Sequence, residues 1–323
     1  MSYTSKIKEY LRAQFDLDFI GIAAAASLEN EPEGHRPKDI LPNAKSVLVF
    51  GRAYADGAIQ AEFRAFEDGL TPAQSGYAAF ASDIAPNFLM VDVAFEIARY
   101  LEDYCNAVSV PVPYGPQQSL VWDSYPAPIF CDPYGQGAPL NVAQAALAAG
   151  LGEYGWSNRF LTPDYGPRVV LTAVITALEL DADSPYDGPA LCDPEACGIC
   201  SSICPTHALP SPCSGECTCK SVAGKSQEVA AIKPESCAVA AMAMRKEFQG
   251  RIPVPDLIMT DDPTAEDLRE AFKAKPVNGL SVDHYPRYFC DRCLIYCPVG
   301  KWQERYYDRG LTKFDSEAEK ACC

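Results

Sequence analysis

CDPEACGICSSICP, residues 192–205, and CDRCLIYCP, residues 290–298, decide how this chain is read. The first stretch gives Cys192-x4-Cys197-x2-Cys200-x3-Cys204-Pro205. The second gives Cys290-x2-Cys293-x3-Cys297-Pro298. Short CxxC loops place neighbouring thiolates on different corners of one iron–sulfur cube. In two-cluster ferredoxins the last Cys of a run, the one followed by Pro, ligates the other run's cluster. The pattern therefore predicts two 4Fe–4S clusters. Zinc is the competing reading of a CxxC pair. The two Cys-Pro ends and the x2/x3 spacings favour iron.

The crossover rule assigns Cys192, Cys197, Cys200 and Cys297 to one cluster. It assigns Cys204, Cys290 and Cys293 to the other, which lacks a fourth ligand. Cys237, in Lys233-Pro234-Glu235-Ser236-Cys237, is the expected one, opening a helix over AVAAMAMRKEF. Cys192 is the irregular ligand of its set. The usual spacing is x2, so it must reach over a longer loop bent by Asp193-Pro194.

The remaining cysteines have plainer readings. Cys213, Cys217 and Cys219 form a Cys-rich insertion, with a third metal site as the alternative. Cys105 and Cys131 read as small buried apolar residues. Cys322 and Cys323 lie in a tail. His207 follows the Cys204-Pro205 turn, where a surface position and cluster tuning compete.

Outside these runs the chain has the composition of a packed globular protein. It has 323 residues, 48% of them hydrophobic, enough for one large domain or two ordinary ones. Fifteen cysteines without a leader-like N-terminus point to metal thiolates in a cytoplasmic protein rather than to disulfides. No apolar run approaches the roughly 20 residues that span a bilayer. The formal charge of −16 argues against a nucleic-acid partner, because phosphate binding calls for a basic footprint.

Hydrophobic spacing places the first elements. Ile7, Tyr10, Leu11 and Phe15 predict a helix over residues 1–15 with these four near one face. SVLVFG, residues 46–51, reads as a buried strand. Ala94, Ile97, Ala98 and Leu101 predict a helix over 90–104. Residues 109–139, rich in Pro, Gly, Tyr and Asp, read as a long loop of the functional kind. NVAQAALAA, residues 141–149, predicts a helix stopped by Gly150. RVVLTAVITALEL, residues 168–180, predicts a strand or hairpin arm. Composition shifts after Asp183, which puts a domain boundary there, between residues 1–182 and 183–323.

With these pieces in place the chain resembles a known family. AALAAGLGEYG, residues 145–155, followed by LTPDYGPR, residues 161–168, is similar to the core signature of reductive dehalogenases and to epoxyqueuosine reductases. LPNAKSVLV, residues 41–49, with Tyr54 beyond it, resembles their first core strand. Both are corrinoid-dependent iron–sulfur reductases. The resemblance implies an α+β fold, with a nitroreductase-like cobalamin-binding domain followed by a ferredoxin-like domain holding two 4Fe–4S clusters. It implies electrons passing from a low-potential donor through the clusters to the corrinoid, and reductive cleavage of a small-molecule substrate.

Two positions depart from the family pattern. Trp156 stands where a basic residue is usual, and Gln136 where epoxyqueuosine reductases carry an acidic proton donor. These departures favour the alternative of an electron-transfer protein that reduces a partner corrinoid protein and has no substrate of its own. A two-cluster reductase using another cofactor, such as flavin, is a third reading.

Candidate proton donors beside the corrinoid are Tyr77 and Asp132, with ordinary packing and a turn before Pro133 as the competing readings. Gly150, Gly152, Gly155, Trp156, Thr162, Tyr165 and Gly166 are the candidate corrinoid-binding residues. For the glycines, close approach of a ligand and simple turn geometry stand as equal readings.

Overall fold

A computed structural model describes residues 2–69, 76–77, 85, 88–112, 139–241, 244, 245, 247, 256–274 and 290–304. Its first six strands are β1 (Phe19–Ala24), β2 (Ser46–Ala53), β3 (Ser109–Pro111), β4 (Glu153–Tyr154), β5 (Phe160–Leu161) and β6 (Val169–Thr176). Four of them form a central antiparallel sheet of order β1-β2-β6-β3, while β4 and β5 pair separately. The middle strands of the large sheet run in register from Ser46 opposite Thr176 to Ala53 opposite Val169. They read as continuous apolar runs because both of their faces are covered.

Side chains alternate between two cores, as the period of a strand requires. Val47, Val49, Val169, Leu171, Ala173 and Ile175 pack with the Val142–Ala148 helix. Leu48, Phe50, Val170 and Val174 pack with Ile7 and Leu11 of the Tyr3–Phe15 helix. Ala94, Ile97, Ala98 and Leu101 join that second core from the Met90–Cys105 helix.

The predicted elements occur, with shifted ends. The strand read over 168–180 stops at Thr176, and the one read over 46–51 extends to Ala53. Tyr10 departs from the predicted buried face: it is 45% exposed and stacks on Tyr100, with ring centroids 4.8 Å apart. The helix around Cys237 begins earlier than expected, at Pro234, and is described to Ala241, so Cys237 lies inside it. Most of the 109–139 loop, with Asp132, Cys131 and Gln136, lies outside the described residues, as do Cys322 and Cys323.

Packing crosses position 183. The Asp183 carboxylate accepts from Lys8 Nζ at 2.8 Å and from the Ile22 amide at 2.7 Å. A hairpin of β7 (Cys217–Val222) and β8 (Lys225–Ala230) sends Val222 and Val229 into the core beside the Val142–Ala148 helix. Leu294, Ile295 and Trp302 share a cluster with Ile59 and Tyr77. Shared apolar burial therefore fixes the cysteine runs to the sheet-bearing part of the chain.

Candidate iron–sulfur centre

The first cysteine run is built from two single turns of helix, Pro194–Cys197 and Ile199–Ser202, joined through Gly198. Asp193 caps the first turn, accepting from the Ala196 amide at 3.1 Å. Cys192 is held from another part of the chain. Glu153 accepts from the Leu191 and Cys192 amides, and the Trp156 amide donates to Cys192 Sγ at 3.4 Å.

The second run contains one helical turn, Arg292–Ile295, which carries Cys293 and leads to Cys297. Arg168, 1% exposed, fixes its end. Its guanidinium donates to the carbonyls of Leu294 at 3.2 Å and Cys297 at 2.8 Å, and to that of Val299. Carbonyls at the end of a short helix need donors once buried.

Two neighbouring cavities receive the thiols. The larger, about 270 Å³, is lined by Cys192, Cys197, Cys200, Cys293 and Cys297. The smaller, about 20 Å³, is lined by Cys200, Cys204, Cys237, Cys290 and Cys293. Cys200 and Cys293 border both. Among the described residues no three His, Cys, Asp or Glu side chains gather as a site for one metal ion. A cube makes a different demand, since each of its four thiolates binds a separate iron.

The thiols are costly to ionise without a metal. Burial, then the neighbouring Cys293 and Cys192, pushes Cys200 up to about 12. Burial pushes Cys297 up to about 11, against the Val299 amide and the Arg168 charge, which lower it. Burial also raises Cys237, with Cys290, Cys293 and Cys204 adding to it. Grouped, half-buried sulfurs of this kind fit a cationic iron core, which stabilises the thiolate form.

A buried polar chain reaches the smaller cavity. Arg159 Nε donates to Cys293 Sγ at 3.2 Å, and its Nη2 donates to Asp291 Oδ1 at 2.6 Å. The Tyr77 hydroxyl donates to Asp291 Oδ2 at 2.9 Å. Burial, followed by the Asp291 charge, raises Tyr77 well above the usual phenol range. Tyr77 is therefore a buried, protonated donor whose hydroxyl is engaged by Asp291.

The residues expected at a corrinoid lie against the protein's own chain. A Cβ on Gly150, at φ +72°, would stand 2.0 Å from the Ser184 carbonyl oxygen. One on Gly166, at φ +58°, would stand 2.2 Å from that of Val299. The corresponding space at Gly152 and Gly155 is filled by Leu161. Thr162 donates to the Gly166 carbonyl, and Tyr165 donates to Asp18 Oδ1 at 3.1 Å. Trp156 is buried beside Cys192 and donates from Nε1 to the Pro210 carbonyl at 2.9 Å. These contacts fasten the chain to itself, so the described residues do not by themselves outline a corrin pocket.

Other expectations resolve more simply. His207 is exposed, and its amide donates to the Cys204 carbonyl at 3.2 Å. Cys213, Cys217 and Cys219 are exposed, the last two on β7. Sequence reading missed Arg159, Arg168, Asp291 and Glu153. Of these, Asp291 carried the clearest signal, lying between Cys290 and Cys293.

No family model matches the chain. It is 27% identical over 198 residues to an epoxyqueuosine reductase of Gloeobacter violaceus, a match covering 59% of this chain and 50% of that protein. Over 64 residues it is 38% identical to a tetrachloroethene reductive dehalogenase of Sulfurospirillum multivorans, covering 20% of this chain and 13% of that protein. The chain is a relative of epoxyqueuosine reductases and reductive dehalogenases. Its match spans half the length of the first of these relatives. A solved epoxyqueuosine reductase from Streptococcus thermophilus aligns with a TM-score of 0.42 at 17% identity, covering 65% of this chain and 54% of that one. Among the described residues no helix is long and apolar enough to cross a membrane.

Proposed function

We propose that this relative of corrinoid-dependent reductases is an iron–sulfur reductase that carries electrons on two 4Fe–4S clusters. One is held by Cys192, Cys197, Cys200 and Cys297, the other by Cys204, Cys237, Cys290 and Cys293. The observation that carries the reading is the pair of adjoining cavities, one bordered by each set of four. Each cluster, when bound, takes up and releases one electron at a time. The protein's part is to hold the sulfurs, restrict water and supply N–H donors, as Trp156 does at Cys192 and Arg159 at Cys293.

The acceptor implied by kinship is a corrinoid. The described residues do not by themselves outline a pocket for one. Two versions of the function share the clusters and differ at this point. In one the chain would bind a corrinoid itself and act on a small substrate. In the other it passes electrons to a corrinoid held by a partner protein. The second is favoured by Trp156 and Gln136, which stand where the family carries a basic residue and an acidic proton donor. Both versions need a low-potential electron donor and suit a cytoplasmic setting. The charge of −16 is the reason not to propose a nucleic-acid substrate.

Metal analysis after anaerobic purification from a host supplied with cobalamin tests the reading. About eight iron atoms per chain are expected, four per cube. One cobalt per chain would select the corrinoid-binding version, and none the electron-transfer version. Iron absent after anaerobic reconstitution with iron and sulfide would overturn both.

A further inference from the structure

Arg159 meets the second cysteine run from the position just before β5. It is 5% exposed, and it reaches a cysteine 134 residues away. Its Nε–H points to Cys293 Sγ at 3.2 Å. Asp291 grips the other end of the guanidinium at 2.6 Å, and Tyr77 grips the second oxygen of Asp291 at 2.9 Å. A flexible side chain is thereby fixed in one direction. In the other set Cys192 receives a backbone amide at 3.4 Å, and the Arg168 guanidinium is bonded to the Cys297 carbonyl at 2.8 Å rather than to its sulfur.

Reduction adds one negative charge to a cluster. An N–H dipole and a positive charge at a ligating sulfur stabilise the reduced form and raise its potential. The effect is large where water is excluded. Asp291 offsets part of the guanidinium charge but keeps Nε directed at the sulfur.

We propose that Arg159 raises the reduction potential of the cluster on Cys204, Cys237, Cys290 and Cys293 above the value it would have without the guanidinium. Asp291 and Tyr77 are positioning residues that act through Arg159. This inference rests on the two-cluster reading above. The step is a one-electron reduction of the cluster, with no bond made or broken and no proton required.

A mediated redox titration with dithionite, followed by electron paramagnetic resonance, tests it. Wild type, Arg159→Gln, Arg159→Lys and Tyr77→Phe are compared on chains of measured iron content. In Arg159→Gln the reduced-to-oxidised ratio of one cluster, read at its wild-type midpoint, should fall about tenfold, or about 59 mV for a one-electron couple. The other cluster should stay within about a quarter of that shift, on the same scale. Arg159→Lys should move the same midpoint less, and Tyr77→Phe less again in the same direction. If Arg159→Gln loses iron, the Lys and Phe variants decide by the same shift. Unmoved midpoints in iron-replete variants, or equal shifts of both clusters, would overturn the inference and leave the two-cluster reading standing. A wild-type chain with no cluster signal would remove that reading, and the inference with it.

Discussion

The Arg168 guanidinium donates to the Cys297 carbonyl at 2.8 Å, joining the residue before β6 to the last cysteine of the second run. It also holds the carbonyls of Leu294 and Val299 on either side. One buried cation thus fixes the path on which Cys297 turns toward the first run.

Replacing Arg168 by Leu should leave these carbonyls without their donor. A loss on the order of 3 kcal/mol in stability is expected, since buried polar groups stripped of a charged partner are costly. Thermal unfolding checks this, and iron analysis should show a deficit in the cluster that Cys297 serves. Arg168→Lys should recover part of both. Full stability in the Leu variant would show that the carbonyls have found other donors.

Cysteine substitutions should divide the chain's thiols into two classes. Cys237→Ser should reduce iron from about eight to about four atoms per chain, by loss of one cube. Cys217→Ser and Cys219→Ser should leave iron unchanged, since both thiols are exposed on the β7 hairpin. Iron lost from either hairpin variant would revive the third metal site.

Trp156→Phe should cost about 1 kcal/mol, the net worth of its bond to the Pro210 carbonyl. The backbone amide that serves Cys192 remains, so iron content should not change. A large loss of iron would mean that the indole itself guards the cavity.

Glu31 supplies a prediction in pH. Burial raises its carboxyl, and Lys220 opposes the shift less strongly. A carboxyl raised on folding favours the native state below its unfolded value, and that contribution is lost as pH rises through the folded value. Glu31→Gln should therefore raise Tm slightly at neutral pH, with the difference shrinking toward about pH 4, near the unperturbed carboxyl value. A Tm difference that stays constant across this range would show that burial of the charge is not the cause.

How far the sequence could be read follows from the distance over which each feature is specified. The β-branched run over 169–176 reads as a strand because its residues favour a pleated, covered surface wherever it pairs. The Ala-rich run over 142–148 and the apolar spacing in 90–105 are equally local signals. The cysteine spacings belong to the same kind, because a CxxC loop is short enough to constrain its own geometry. These features were carried by the sequence alone.

Tertiary structure decided the rest. Nothing near Arg159 announces that it will face Cys293, and nothing near Tyr77 announces Asp291, 214 residues away. A buried arginine has no periodic signature, and its partners are chosen by how separate segments pack. The glycines illustrate the same limit. A turn glycine and a ligand-facing glycine are identical in sequence, and only the tertiary structure shows what lies opposite, as with the Ser184 carbonyl at Gly150. Tyr10 missed its predicted face for a related reason: helical period gives a direction, but the neighbour at that direction, here Tyr100, decides what is buried.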